Sequence, residues 1–215
     1  MRSFTYQALT LRVKASGESN REAWFLTAEE GLIKATVFGG PKSRLRAGVA
    51  PYHEGKLWIY HDPVRDSRKV SDFDVHSYRT GIRELYERTM IAGAVAETIL
   101  ASRGGGCGCD GTMRLAGTVL DALEGADIAS ARRLGVYFLW HWAQVLGERP
   151  ELSACVSSFR VGPGAIAWLN AIESLSAQDV LRVSLDDPSF EQAGLLVKAV
   201  LTASLGQKLS TWDGI

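Results

Sequence analysis

Residues 38–46 read Phe38-Gly39-Gly40-Pro41-Lys42-Ser43-Arg44-Leu45-Arg46, a stretch that interrupts regular structure and concentrates positive charge. Two glycines and a proline disfavour both a regular helix and a central strand, so we predict a loop here. Three cations stand within five residues, with no acid among them. Arginine and lysine contact the phosphate backbone of nucleic acids without reading its sequence. A solvated surface turn is the alternative interpretation of so short a motif, and the neighbouring elements have to decide between the two.

Short alternating segments surround this loop on both sides and predict a barrel. Five short strands within the first 80 residues favour a small closed barrel over an open sheet. The five-stranded barrel of this size that commonly binds nucleic acids is the OB-fold, which we predict for residues 1–80. The alternating segments, separated by turn-forming residues, are 4–13, 23–27, 32–38, 56–60 and 70–78.

The period of the pattern changes after residue 80, where apolar residues recur every three or four positions. Ser176 and Asp179 resemble a capping box that opens a helix, and Asp187 precedes Pro188 as the cap of the last helix, which Gly206 ends. The fold class is therefore α+β, with the barrel followed by an all-α domain over residues 81–215. Helices are predicted over 81–102 and 113–123, from Asp127 to Gly147, over 164–175, from about 176 and from 187 to about 205.

The charge of the chain is divided unevenly between the two predicted domains. The 215 residues carry no net charge, but residues 1–80 hold 13 basic against 9 acidic side chains and residues 81–215 hold 11 against 15. Opposite signs in the two parts suggest separate surfaces with separate partners. No secretory signal is recognisable, no apolar run is long enough to cross a bilayer, and three cysteines do not form a disulfide framework. We expect a cytoplasmic protein with reduced thiols.

A series of short motifs stands in a fixed order along the chain: Ala8-Leu9, Gly17-Glu18-Ser19, Gly31-Leu32-Ile33, Gly40-Pro41-Lys42-Ser43-Arg44-Leu45, Pro51, Arg83-Glu84-Leu85-Tyr86-Glu87-Arg88 and Leu205-Gly206-Gln207-Lys208-Leu209-Ser210. In this order they resemble the RecO family of bacterial recombination mediators over nearly the whole chain. The resemblance implies an N-terminal OB-fold and a C-terminal helical domain that bind single- and double-stranded DNA and anneal complementary strands. It also implies two protein partners, RecR and the C-terminal tail of single-strand-binding protein (SSB). With RecR, such a protein loads RecA onto SSB-coated DNA at the bacterial nucleoid, without nucleotide-driven catalysis.

One departure from the family concerns zinc. Many relatives carry a knuckle of two CxxC pairs after the third long helix, where this chain has Cys155-Val156-Ser157-Ser158 and no second pair. Structural zinc takes four closed ligands, which one thiolate cannot supply. We predict no bound metal or other cofactor, with helix packing in place of the knuckle.

The candidate DNA contacts are cations of the predicted barrel, for which scattered surface charge is the alternative interpretation. Lys42, Arg44 and Arg46 come first, and Lys34 and Lys56 join them if neighbouring strands bring them to the same face. Phe38 and Trp58 are candidates for base stacking, although an aromatic residue in a small barrel more often belongs to the core. Arg12, Lys14 and Arg21 lie around the first hairpin, and we expect them either to extend the candidate groove or to be scattered surface charge.

Other motifs suggest chemistry but favour simpler interpretations. Cys107-Gly108-Cys109 could bind a metal or act in redox chemistry, but its glycine-rich context favours a flexible loop. Trp140 and Trp142 flank His141 in a predicted helix, where residues two apart face different directions and core packing is expected. No nucleophile, base and orienting acid occur together, so we predict that the protein is not an enzyme. Three functions remain as hypotheses: a DNA-binding mediator, a protein adaptor that does not bind DNA, and, remotely, a metal-dependent hydrolase or redox protein.

Overall fold

A closed barrel of five strands forms the first part of the chain in the structure, a computed structural model that describes residues 2–40, 43–106, 109–159 and 161–215. The strands follow one another around the barrel in the order β1-β2-β3-β5-β4, with β4 beside β1, and only β3 and β5 run parallel. This is the predicted OB-fold, and the helical region that follows it confirms the fold class as well. The strands are β1 (Arg2–Ser16), β2 (Asn20–Thr27), β3 (Gly31–Val37), β4 (Glu54–Asp62) and β5 (Ser67–Ser77).

The barrel core follows the alternation that the sequence shows. Successive side chains of a strand point to opposite faces, so every second residue faces the interior. Phe25 and Phe73 meet edge to face inside the barrel, with ring centroids 5.9 Å apart. The remaining buried residues of this core are Tyr6, Ala8, Ala23, Ile33, Ala35, Val37, Val49, Leu57, Ile59 and Val70.

The stretch after β3 differs from the predicted loop, because it contains a short helix, α1 (Arg44–Gly48). Ser43 is its N-cap, and its hydroxyl oxygen accepts a hydrogen bond from the Arg46 amide at 3.4 Å. Gly39 has a φ of 135°, and a Cβ there would lie 2.6 Å from the Ser43 oxygen. Glycine is therefore required where the chain turns toward the cap, and the prediction missed that a serine after the proline can start a helix.

Six further helices follow the barrel in the described part of the chain. None of the described helices is long and apolar enough to cross a membrane. Short 3₁₀ segments precede α2, separate α6 from α7 and end the chain, at Thr80–Glu84, Asp179–Arg182 and Ser210–Gly214. The α-helices are α2 (Tyr86–Ala101), α3 (Cys109–Leu123), α4 (Ile128–Val145), α5 (Leu152–Phe159), α6 (Pro163–Ile172) and α7 (Asp187–Leu205).

The helix termini test the capping signals read from the sequence. Asp127 caps α4 as predicted, accepting from the Ser130 amide at 2.8 Å, and this bond lowers the pKa of the Asp127 carboxyl. Asp186, not Asp187, caps α7, because its carboxylate accepts from the Ser189 amide at 2.9 Å. The prediction chose the aspartate next to Pro188, but that residue lies inside the first turn.

Two further differences concern the helices between these caps. Ser176 and Asp179 do hydrogen-bond to each other, but they open a 3₁₀ turn where a full helix was predicted. Helix α5 was not predicted at all. Gly206 ends α7 in the left-handed conformation, with a φ of 68°, as its position suggested.

The described residues divide into two compact units. The first contains the chain up to Arg79 together with the beginning of α3, from the segment 106–117; the second contains residues 80–105 and 118–215. Within the first unit, the buried Arg79 guanidinium donates to the Tyr52 carbonyl at 2.9 Å, to the Glu54 carboxylate at 2.5 Å and, at 3.5 Å, to the Gly117 carbonyl of α3. One arginine thereby joins the start of α3 to the barrel.

Tryptophans organise the core of the second unit. The indole N–H of Trp142 donates to the Ser102 hydroxyl at 3.0 Å, and that of Trp212 donates to the Thr98 hydroxyl at 2.9 Å. Trp140 is fully buried too, whereas the His141 ring lies 3.0 Å from the Ile172 carbonyl. Burial lowers the pKa of His141, so the ring is neutral at neutral pH. Residues 140–142 thus belong to the core, as predicted from the different directions in which residues two apart face on a helix.

Cys155 is buried on α5, where its thiol donates to the Glu151 carbonyl at 3.5 Å. Burial raises the pKa of this thiol and favours the protonated form over the thiolate that a metal needs. Among the residues the structure describes, no group of three His, Cys, Asp or Glu side chains is placed to hold a metal ion. Cys107 and the side chain of Cys109 lie outside the described residues, so the proposed loop there stays a prediction.

One end of the barrel is tied together by three side chains from different strands and turns. The Tyr6 hydroxyl donates to one oxygen of Glu30 at 2.6 Å, and Arg68 binds the other. Burial raises the pKa of Glu30, but the hydrogen bonds from Tyr6 and Arg68 outweigh it and lower the pKa overall. Burial and the bond to Glu30 raise the pKa of Tyr6 to about 12. The contact joins β1, the β2–β3 turn and β5.

We expect Glu30→Gln to destabilise the protein by up to about 1 kcal/mol at neutral pH, because the bonds to Tyr6 and Arg68 weaken when the acceptor loses its charge. A carboxyl with a lowered pKa contributes stability above its ordinary value of 4.5, and this contribution is lost as pH falls through the lowered pKa. The difference in unfolding free energy between wild type and variant should therefore shrink from about pH 7 to about pH 3, measured by urea unfolding. Glu18→Gln, at an exposed turn position, is the control and should follow wild type. A difference independent of pH would contradict this account.

Candidate nucleic-acid interface

The basic stretch at residues 38–46 is less compact than its sequence suggests. Lys42 lies outside the described residues. Arg44 and Arg46 stand two positions apart on α1 and therefore point in different directions. Arg44 is exposed, whereas Arg46 is half-buried and its guanidinium lies 3.5 Å from the Gly39 carbonyl. The structure does not bring these two cations together as one charged cluster.

The outer face of β1, β2 and β3 carries a different arrangement, which we name the Trp24 stripe: Arg12, Trp24 and Lys34. The strand register pairs Arg12 with Trp24 and Trp24 with Lys34. The Arg12 guanidinium carbon lies 5.7 Å from the Trp24 ring centroid, and Lys34 Nζ lies 5.9 Å from it. Cations at this distance are attracted by the electron-rich face of the indole. Two predicted contact residues thus meet on one ring.

The surroundings of the Trp24 stripe add charge of both signs. Lys14 is exposed two positions after Arg12 and pairs in register with Glu22. Glu22 also binds Lys34, with an Nζ to Oε1 distance of 3.1 Å. Arg21 is half-buried at the start of β2, opposite Ala15. In the part of the chain that the structure describes, Arg12 and Lys14 have no carboxylate within salt-bridge distance, so their charges are available to a ligand.

Lys56 and Trp58 form a separate pair on β4, with Lys56 Nζ 5.2 Å from the Trp58 ring centroid. Lys34 and Lys56 do not lie on neighbouring strands, as their joint contact with DNA would require, because β5 lies between β3 and β4. On β5, Asp74 stands opposite Lys56 and Asp72 stands opposite Trp58. Two exposed carboxylates beside the pair oppose the approach of a polyanion, and Trp58 is half-buried.

Phe38, the other predicted stacking residue, is more open. Its side chain is 43% exposed at the end of β3. Lys69 Nζ lies 5.3 Å from its ring centroid.

Sequence reasoning missed Trp24 and Lys69, because only the strand register reveals which cation meets which ring. What the described barrel offers is fixed charge and aromatic surface, a combination that suits the phosphates and bases of a nucleic acid.

Comparison with known proteins agrees with this geometry. Residues 1–78 match the family model described as the N-terminal domain of recombination protein O. The DNA repair protein RecO of Heliobacterium modesticaldum is 42% identical to this chain over 62 residues. Those residues are 28% of this chain and 23% of the relative, so the match spans about a quarter of the relative's length.

We expect Arg12→Gln and Lys34→Gln each to lower the free energy of unfolding by less than about 1 kcal/mol, because exposed ion pairs and cation–π contacts are weak. Arg79→Gln is the contrasting variant: it leaves Glu54 without its buried partner and should cost several kcal/mol, roughly 3 to 5. Urea unfolding followed by tryptophan fluorescence measures all three. A large loss in either stripe variant would mean that the Trp24 stripe is needed for folding.

Proposed function

Residues 1–78 match the family model of the RecO N-terminal domain, and from this match we propose that the protein is a DNA-binding recombination mediator. In this proposal it binds single- and double-stranded DNA, anneals complementary strands and helps to load RecA onto SSB-coated DNA. Its role in DNA repair and recombination rests on the family match. The specific activities rest on the geometry of the barrel together with the resemblance.

The observation that carries the proposal is the Trp24 stripe on the outer face of the OB-fold. Arg12 and Lys34 are held over one indole ring, so their charged ends are positioned while they remain exposed. Such cations release condensed counterions when they contact phosphates, and this release drives sequence-independent binding. They would position a DNA backbone without reading bases. Lys14 and Arg44, both exposed, would extend the same electrostatic attraction.

The helical region is the proposed contact for proteins. RecR and the C-terminal tail of SSB are the partners that the family resemblance supplies, with RecA acting downstream. The proposed action is DNA binding, strand annealing and help in loading RecA, so no catalytic residue is proposed. The proposed place of action is the nucleoid in the cytoplasm.

The salt dependence of single-stranded DNA binding tests the Trp24 stripe. The slope of log K against log salt is about −0.7 for each phosphate neutralised on a single strand. Arg12→Gln/Lys34→Gln should therefore make the slope less negative by about 1.4, for two lost phosphate contacts, in fluorescence-anisotropy titrations. Arg182→Gln/Lys208→Gln removes two exposed cations of the helical region and should leave the slope unchanged. An unchanged slope in the stripe variant would show that its cations do not contact DNA.

The basic stretch is tested separately by annealing. Replacing Lys42, Arg44 and Arg46 by glutamate reverses three charges, so we expect the triple variant to lose DNA annealing while its thermal unfolding stays close to that of wild type. Annealing of complementary labelled oligonucleotides, followed by energy transfer, gives the rate. Normal annealing by the triple variant would remove this stretch from the interface.

The alternative function is a protein adaptor that keeps the barrel but does not bind DNA. The observation in its favour is the set of carboxylates on the barrel surface, with Asp72 and Asp74 beside Lys56 and Trp58 and Glu22 beside Lys34. The same anisotropy titration decides between the two: absence of binding by wild type at low salt would establish the adaptor in place of the DNA-binding mediator.

A further inference from the structure

A second cation–aromatic cluster lies on the barrel face formed by β3, β5 and β4. We name it the Lys69 cluster: Phe38, Tyr60 and Lys69. Lys69 on β5 stands directly opposite Tyr60 on β4, and on its other side it is in register with Thr36 on β3, two residues before Phe38. Its Nζ lies 5.3 Å from the Phe38 ring centroid. One cation therefore stands between two aromatic side chains.

The two rings of the Lys69 cluster are open to solvent. Phe38 is 43% exposed and Tyr60 is 50% exposed. Phe38 directly follows β3 and Tyr60 lies on β4, the two strands on either side of β5, so the two residues are separated by about two strand spacings, roughly 10 Å. The alternation of the strands explains this exposure, because Val37, next to Phe38, and Ile59, next to Tyr60, fill the barrel core. Exposed aromatic surface on a strand is the usual platform for an unstacked base.

The charge of Lys69 is also available. Within the described ranges, no carboxylate lies within salt-bridge distance of it. The adjacent Arg68 points to Glu30 instead, and Asp72 lies three positions along the strand, opposite Trp58. Fixed positive charge between two open rings, free of a neutralising acid, matches a phosphate flanked by bases.

The Lys69 cluster and the Trp24 stripe occupy different parts of the closed barrel. The stripe crosses β1, β2 and β3, whereas the cluster crosses β3, β5 and β4. In the stripe, two cations lie over one half-buried indole. In the cluster, one cation lies over the exposed Phe38 ring and stands opposite the exposed Tyr60 in the strand register. The first arrangement presents mainly charge, and the second presents mainly stacking surface.

We propose that the Lys69 cluster is a second binding site for single-stranded DNA, separate from the Trp24 stripe, so that one barrel holds two strands at once. Phe38 and Tyr60 stack on bases, and Lys69 contacts the phosphate between them. This inference rests on the proposed function, and it gives annealing a physical basis. A protein that holds two single strands on one domain raises the effective concentration of each for the other.

The experiment counts bound strands. The 215-residue chain is titrated with an oligothymidine of about four nucleotides, the lower end of the range of OB-fold site sizes, and sedimentation velocity gives the number bound per chain. Wild type should bind two. Tyr60→Ala/Lys69→Gln should bind one, and its rate of annealing should fall about tenfold, because each lost base stack weakens binding by about that factor. The affinity of the remaining site should stay within about twofold of wild type.

Three further variants isolate the aromatic contribution. Tyr60→Phe keeps the ring and should bind two strands, whereas Tyr60→Leu keeps apolar bulk without the ring and should weaken the second strand about tenfold. Tyr86→Ala/Lys208→Gln removes one exposed tyrosine and one exposed lysine from the helical region and should behave as wild type.

The outcomes separate the two proposals. One strand bound per wild-type chain, or two bound by Tyr60→Ala/Lys69→Gln, would overturn the second site while leaving the DNA-binding function in place. No strand bound by wild type at low salt would overturn the proposed function itself. Thermal unfolding of each variant, close to that of wild type, verifies that a loss of binding is local.

Discussion

The barrel closes where β3 meets β5, and the rest of the first unit depends on this closure. Four of the five strand contacts are antiparallel ladders, but β3 and β5 run parallel and are in register at Thr36 and Lys69. A closed barrel leaves no edge strand, and every strand then has one face in the core and one in solvent. Closure is supported at one end by Glu30, which reaches Tyr6 on β1 and Arg68 on β5. Because the interior is filled with apolar side chains, all the charge that the strands carry has to stand on the outside.

The outward charges divide into structural cations and available ones, and burial decides which is which. Arg79 is 3% exposed and is surrounded by acceptors from Tyr52, Glu54 and Gly117, since a buried guanidinium without partners is too costly. Arg68 is likewise bound to Glu30. By contrast, Arg12 and Lys69 rest on aromatic rings, which hold a cation without neutralising it. A chain with no net charge can thus present positive surfaces, because carboxylates such as Glu54 and Glu30 are bound to the structural arginines.

The sequence predicted the positions of the strands and helices better than the contacts between them. Alternation located all five strands, and Asp127 and Gly206 marked helix ends, because these signals act within a few residues. Strand register is set by the packing of the whole barrel, so the meeting of Arg12 with Trp24 across β1 and β2 could not be read from spacing. The same reason hid the return of α3 to the barrel through Arg79. The helix at Arg44–Gly48 was missed for another reason. The two glycines and the proline before it predict a loop, and the capping signal of Ser43 was not considered beside them.

The aromatic residues show why exposure alone does not identify a stacking site. Trp24 has the largest ring on its face, but cations stand over it and the ring is half-buried, so its main effect is to hold Arg12 and Lys34. Trp58 faces Asp72, which repels the phosphates that accompany any base. Tyr60, only two residues along the same strand, faces Lys69. Successive outward positions on β4 therefore meet opposite charges on β5: Trp58 meets an acid and Tyr60 meets a lysine. A polyanion is repelled at the first position and attracted at the second, so Tyr60 is the better placed of the two rings to stack on a base of DNA.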